Sequence, residues 1–307
     1  MTSSIAVGKS VLILGGSGLL GYHCREEFET GYNVFSTWNK HGISEGLGTK
    51  FNALEDWAVL GALIRETRPS LIVNTIAHVT VDGCEEDPSL AKRLNVTFVR
   101  KLVDLLAELN LEKTHLIHIS SDSVYGQASD NNPWRERDPK QPLSVYAASK
   151  LDSERAAMHH VGPLTILRTA FYGINPYSKI SLLWWIITTA RSGRPIHGWE
   201  NIFFSPVSAR YLAIGIRSLF EFGVTGVFNA GSVDACNKYD FSSTVCDYLG
   251  IDANIIRSRS KSVAGKQIRP EYSVLDSDLL GEKISWKISW QDDLRAYLNN
   301  LPPFPED

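Results

Sequence analysis

The chain has 307 residues, 43% hydrophobic and 21% charged, with 31 Lys and Arg against 34 Asp and Glu for a formal net charge of −3. This composition is ordinary for a soluble globular chain and excludes intrinsic disorder; the absence of a basic excess argues against a nucleic-acid or anionic-membrane binder. The length suits about two domains, or one large α/β unit with an appendage.

Residues 11–14 form a short apolar run that ends at glycines, too short for a secretory core of ~7–15 residues, and they read as a buried strand. A helix is predicted over 19–30, a strand over 33–37, a helix over about 55–66 and a strand over 71–76. Between 88 and 109, Leu90, Leu94, Phe98, Leu102, Leu105 and Leu109 recur at the spacing of an amphipathic helix. Strands at 115–120 and 164–168 bracket a helix at 145–160. After about Thr169, Gly and Pro become frequent and Trp184, Trp185 and Trp199 appear. A helix at about 207–222 and a strand at 226–230 then resume the earlier rhythm, before a tail of mixed short elements. The apolar run 182–187 is far below the ~18 residues that cross a bilayer. Four scattered cysteines (Cys24, Cys84, Cys236, Cys246) contain no C-x-x-C pair, which fits a reducing cytoplasm.

Strands alternating with helices imply an α/β fold, a Rossmann-type doubly wound parallel sheet, with a smaller interleaved C-terminal lobe. Residues 1–170 and about 207–230 are expected to form the dinucleotide-binding domain, and about 171–206 and 231–301 the substrate lobe. In such sheets ligands sit beyond the carboxyl ends of the strands.

Gly15-Gly16-Ser17-Gly18-Leu19-Leu20-Gly21 follows the first strand and opens a helix. A glycine loop in that context suits a pyrophosphate, which meets close backbone and the free N–H groups of a helix N-terminus; a merely tight turn is the bland alternative. NAD-binding sites place an acid ~20 residues on, yet none stands between Glu29 and Glu45. Ser36, Thr37, Asn39 and Lys40 would instead receive a 2′-phosphate, so NADPH is expected over NADH; Lys40 as a solvated loop cation is the alternative.

Tyr146 and Lys150 stand four apart in a helical pattern, hence on one face. A nearby ammonium lowers a phenol's pKa, which would suit Tyr146 to general acid–base work. The strand at 115–120 runs into Ser120-Ser121-Asp122-Ser123, hydroxyls placed where a substrate would sit.

Together these motifs resemble the extended short-chain dehydrogenase/reductases, and within them the dTDP-4-dehydrorhamnose reductase family. The resemblance spans nearly the whole chain, carried by residues 14–21, 74–88, 118–126, 144–154, 166–173 and 268–276. It implies a catalytic Ser121–Tyr146–Lys150 triad and NADPH-dependent reduction of a nucleotide-linked 4-keto-6-deoxy sugar. Tyr146 would give the proton, Ser121 would bond the carbonyl oxygen, and Lys150 would hold the nicotinamide ribose. It further implies cofactor contacts at Gly15, Ser17, Gly18, Leu19, Leu20, Gly21, Ser36, Asn39, Lys40, Asn52, Ala53, Ala77 and His78. Substrate contacts would come from Val81, Asp122, Ser123, Phe171, Tyr172 and Arg269. The family's usual Thr and Tyr are replaced by Ser121 and Ser123, and the Asp-Glu pair of the related dehydratases is missing. An epimerase, or a non-catalytic NADP-binding regulatory subunit, remains an alternative. A nucleotide-sugar small molecule is the expected partner, a homodimer is compatible with the sequence, and no metal is expected.

His115 and His118, three apart on a strand, point to opposite faces and so do not chelate one ion. His159 and His160 read as solvated at a helix end. Asn95 is expected to bond backbone within the sheet, and the tryptophans to pack in the lobe's core. Arg257, Arg259 and Lys261 suit either a pyrophosphate or a solvated strand face.

Overall fold

The computed structural model describes residues 8–43, 48–128, 132–259 and 270–304. Seven parallel strands form the central sheet: β1 (Ser10–Leu14), β2 (Asn33–Trp38), β3 (Thr49–Lys50), β4 (Leu71–Asn74), β5 (His115–Ile119), β6 (Leu164–Thr169) and β7 (Gly226–Ala230). Their order is β7-β6-β5-β4-β1-β2-β3, so the strand order, not the chain direction, reverses between β1 and β4 and opens a crevice at their carboxyl ends.

Side-chain alternation explains why β1 reads as a continuous apolar run. Val11 and Ile13 join a core with α1 (Leu19–Glu29) and α6 (Ala209–Glu221). Leu12 and Leu14 join the opposite core, with α2 (Trp57–Thr67) and α3 (Phe98–Glu108). A strand covered on both faces needs apolar residues at every position. A third core fills the smaller lobe, where α5 (Leu182–Arg191), α7 (Lys238–Leu249) and α8 (Trp290–Leu298) pack with Tyr172, Ile174 and Phe204.

The predicted helix over 88–109 is three pieces: Pro88–Ala91, a π-helical turn at Lys92–Thr97, and α3. Phe98 N donates to Arg93 O, five residues back, which marks the extra residue in the turn. Within α3, Phe98 and Leu102 are buried as expected, and the stripe continues through Leu106, with the expected Leu105 only partly buried at the edge of the same core. The edge strand β3 and the helix Val81–Glu86 carry too few apolar residues to stand out in the sequence. His160 corrects another expectation: it is buried, with Nε2 2.9 Å from Thr114 O, because the chain turns back toward β6 after the helix.

Candidate active site

The glycine loop is pinned from two sides. Gly15 N donates to Thr37 Oγ1 (3.1 Å) and Gly16 N to Thr37 O (2.7 Å), while Thr75 Oγ1 donates to Leu14 O (2.8 Å). Gly15 has φ +88°, and a Cβ on Gly21 would collide with Gly15 O, so both positions need glycine. The first turn of α1 contains no acid and Gly18 offers no side-chain cap. Its N–H groups are therefore left for an anion. This cradle fits a dinucleotide pyrophosphate.

The Thr37 hydroxyl serves the loop rather than a ligand: it is buried and accepts from Gly15 N, against the expectation that it would meet a 2′-phosphate. Ser36, beside it at the end of β2, is buried as well. Asn39 and Lys40 are exposed just past β2. Asn52 is used in its own turn, bonding Leu54 N and Glu55, and Ala53 is buried. Neither reaches the cavity beside the triad.

Helix α4 (Val145–Ala157) starts where Ser144 Oγ accepts from Ala147 N at 3.1 Å. Glu85 also fixes its first turn by accepting from Val145 N at 2.7 Å. Tyr146 and Lys150 thereby face β5, whose end delivers Ser121. These three side chains, with Gly18, Leu19, Leu20 and Ala77, open on one cavity of about 520 Å³. Ser17, Gly15 and Gly21 shape the loop behind it. A second chamber of about 680 Å³ adjoins through Asp122, Ser123, Ala170, Phe204 and Lys238, and Val81 and the tryptophans Trp184 and Trp185 line it.

The phenol is not lowered as the sequence suggested. Burial pushes Tyr146 up to about 12; the neighbouring Ser121 hydroxyl opposes the shift and the charge of Asp122 adds to it. Lys150 turns away, donating from Nζ to Ile119 O at 2.7 Å. Burial drives Lys150 down to about 8, against the pull of Glu154. Ser121 Oγ donates to Asp122 Oδ1 at 2.9 Å. Burial raises Asp122, opposed by hydrogen bonds from Ser273, Ser121 and Ser123 and by the charge of Lys238.

A buried polar scaffold lies beneath. Arg168 grips Glu154 with two bonds (Nε–Oε1 2.9 Å, Nη2–Oε2 2.7 Å), and Ser120 Oγ donates to Glu154 Oε1 at 2.5 Å. Arg168 Nη1 donates to the hydroxyl of Tyr125, whose ring stacks on Trp134 at 5.2 Å. His118 bonds Ser153 Oγ (2.8 Å) and Asn74 (3.2 Å), while His115 bonds Thr165 Oγ1 (2.8 Å).

Asn95 sits in the π turn and clamps the loop after β4 rather than the sheet. It accepts from His78 N (2.6 Å) and donates to His78 O (3.2 Å) and Ser149 Oγ (2.8 Å). The His78 ring packs near Gly83, outside the cavity lining.

Of the expected substrate residues, Phe171, Asp122 and Ser123 line the cleft. Tyr172 borders it but is core: its hydroxyl donates to Asp293 (3.1 Å), which also accepts from the hydroxyl and N–H of Ser208. Arg269 and Lys261 lie outside the described residues. Arg257 lies over the Tyr239 ring at 4.1 Å and Arg259 pairs with Glu200 at 3.3 Å, a strand face apart from the triad. Trp185 is exposed on the cleft wall instead of packed in the core.

Lys238 escaped the sequence reading. It begins α7 immediately after the capping residue Asn237, with its ammonium over the Phe204 ring, and lines both chambers. A cation in the first turn of a helix opposes the helix dipole, and that misplacement was the available signal. Glu154, eight residues after Tyr146 on the same flank of α4, was also missed; its i, i+4, i+8 spacing with Tyr146 and Lys150 was the cue.

Among known proteins, the chain is 30% identical over 277 residues to a Streptomyces antibioticus protein named "Probable dTDP-4,6-dihydroxy-2-methyloxan-3-one 4-ketoreductase", covering 87% of this chain and 86% of that one. It is 27% identical over 309 residues to methionine adenosyltransferase 2 subunit beta of Rattus norvegicus, covering 94% and 88%. The crystal structure of dTDP-4-dehydrorhamnose reductase from Bacillus anthracis in complex with NADP superposes with a TM-score of 0.83 at 20% identity, over 95% of this chain and 99% of that one. Residues 9–302 match the family described as "RmlD substrate binding domain", and the chain belongs to that family.

Proposed function

We propose that the protein is an NADPH-dependent reductase of a nucleotide-linked 4-keto-6-deoxy sugar. The observation that carries this reading is the shared cavity onto which Ser121, Tyr146, Lys150 and the glycine-loop helix all open. The names of the Streptomyces ketoreductase and of the NADP-bound Bacillus reductase support it.

The chain's own groups suit the reductive direction. Bound NADPH would supply the hydride. The amides of Leu19 and Leu20 hold the pyrophosphate, while the Gly18 amide closes the turn onto Gly15 O; Lys150 holds the nicotinamide ribose. A phenol that stays protonated up to about 12 is an acid throughout the neutral range, so Tyr146 delivers its proton to the carbonyl oxygen as negative charge develops there. Ser121 exchanges its bond to Asp122 for one to the same oxygen, which concentrates donors where the charge appears. The adjoining chamber, with Val81, Ser123 and Trp185 on its walls, receives the rest of the sugar nucleotide.

The test is NADPH consumption, followed by absorbance, across dTDP-, UDP-, GDP- and CDP-linked ketosugars. One of these is expected to be reduced, with Tyr146→Phe slowing turnover by ~10²–10⁴-fold while leaving NADPH binding intact. No turnover on any of them, or an unchanged rate in Tyr146→Phe, overturns the assignment. The similarity to methionine adenosyltransferase 2 subunit beta favours a second reading, a non-catalytic NADP-binding subunit. Stable co-purification with another enzyme and no turnover would support that reading.

A further inference from the structure

Arg25 stands on α1 one turn beyond Gly21 and is only 5% exposed. Its Nη2 lies 3.7 Å from Glu29, but Nη1 is buried with no hydrogen-bond partner among the described residues. An unpaired guanidinium nitrogen in the interior is costly to keep, which points to a partner that arrives with a ligand. The surroundings indicate which ligand. A Cβ on Gly16 would stand 3.1 Å from Arg25 Cδ and 2.7 Å from Ser36 Cβ. The stem of Arg25 and the end of β2 therefore meet beneath the second residue of the glycine loop. In a dinucleotide fold, the end of the second strand is where the 2′ substituent of the adenosine ribose is read. No acid follows β2 there to bind a 2′-hydroxyl.

We propose that Arg25 is the residue that selects a 2′-phosphorylated dinucleotide. Gly16, having no side chain, leaves the space in which the guanidinium turns outward beside Ser36, and Nη1 then donates to the 2′-phosphate. A planar guanidinium matches phosphate oxygens with two parallel donors. Lys40, exposed past the strand, contributes only screened attraction. The inference rests on the NADPH part of the function proposed above and is independent of the sugar.

Calorimetric titration with adenosine 2′,5′-bisphosphate and adenosine 5′-monophosphate, together with NADPH and NADH titrations followed by fluorescence, tests it without any sugar substrate. The wild type is expected to prefer the 2′-phosphorylated ligands. Arg25→Gln should lose about 10- to 100-fold in affinity for them and hold NADH within about threefold, while Lys40→Gln keeps most of the preference. A preference retained in Arg25→Gln, or equal losses for NADPH and NADH, overturns the assignment. If Arg25→Gln lacks a native thermal transition, Arg25→Lys decides: a several-fold loss of preference supports the role of the fork, and an unchanged preference overturns it. A wild type that binds neither dinucleotide refutes the cofactor reading, and this inference with it.

Discussion

Replacing Arg168 by Met would leave the Glu154 carboxylate, 1% exposed, with Ser120 as its remaining side-chain hydrogen-bond donor among the described residues. Removing one partner of a buried, two-bonded ion pair costs ~3–5 kcal/mol, because the surviving charge keeps its desolvation penalty. At ~2–4 °C per kcal/mol for a chain of roughly this size, the melting point should fall by about 10 °C. Urea unfolding of Arg168→Met, Glu154→Gln and the double variant measures the coupling; the double should cost ~1–3 kcal/mol less than the two singles added. Strict additivity, or a cost below ~1 kcal/mol for Arg168→Met, would refute the reasoning. The same pair reaches the chemistry through Lys150. Its pKa in the fold, about 8, lies below the ~10.4 of an unfolded lysine. The penalty for burying its charge is therefore fully present below pH 8 and is relieved as pH rises from about 8 to ~10.4, so this group's contribution to stability improves with pH over that window. Ketosugar reduction should run the other way, falling above about pH 8 as Lys150 loses its proton. Glu154 helps hold that proton, so Glu154→Gln should move the descending limb to lower pH. An unmoved limb would separate the scaffold from catalysis.

Gly21→Ala pushes a methyl against the Gly15 carbonyl, and NADPH binding should weaken at least ~10-fold because the cradle must open to admit it; unchanged affinity in a fluorescence titration would contradict the close-approach argument. Asn95→Ala leaves the His78 N–H and C=O without their shared partner. It should cost ~2–4 kcal/mol by urea unfolding and raise hydrogen exchange at the His78 amide, whereas wild-type exchange there would show that the clamp is idle.

Much of the molecule was legible in the sequence because it rests on local pattern. Strand β7 falls on the expected residues, and the glycine loop and triad motifs sit at the strand ends, where such folds bind ligands. What escaped notice depends on pairs distant in the chain. The phenol's pKa is set by burial between β5 and α4, which no Tyr-x-x-x-Lys spacing encodes. The Thr37 hydroxyl looked free for a ligand until it met Gly15, 22 residues away. Tyr172 looked like a cleft residue because its neighbour Phe171 is one, yet its hydroxyl is claimed by Asp293, 121 residues later.

The π turn at Lys92–Thr97 makes residue count a control on geometry. Each helical residue advances the chain by about 100° around the axis, so deleting one residue from this turn would restore regular helix while twisting Pro88–Ala91 about a quarter-turn relative to α3. That rotation would carry Asn95 off His78 and swing the preceding loop, with Ala77 and Val79, out of register with the cavity they line. A shortened chain could thus keep its helix content and lose its site, and circular dichroism alone would not reveal the damage.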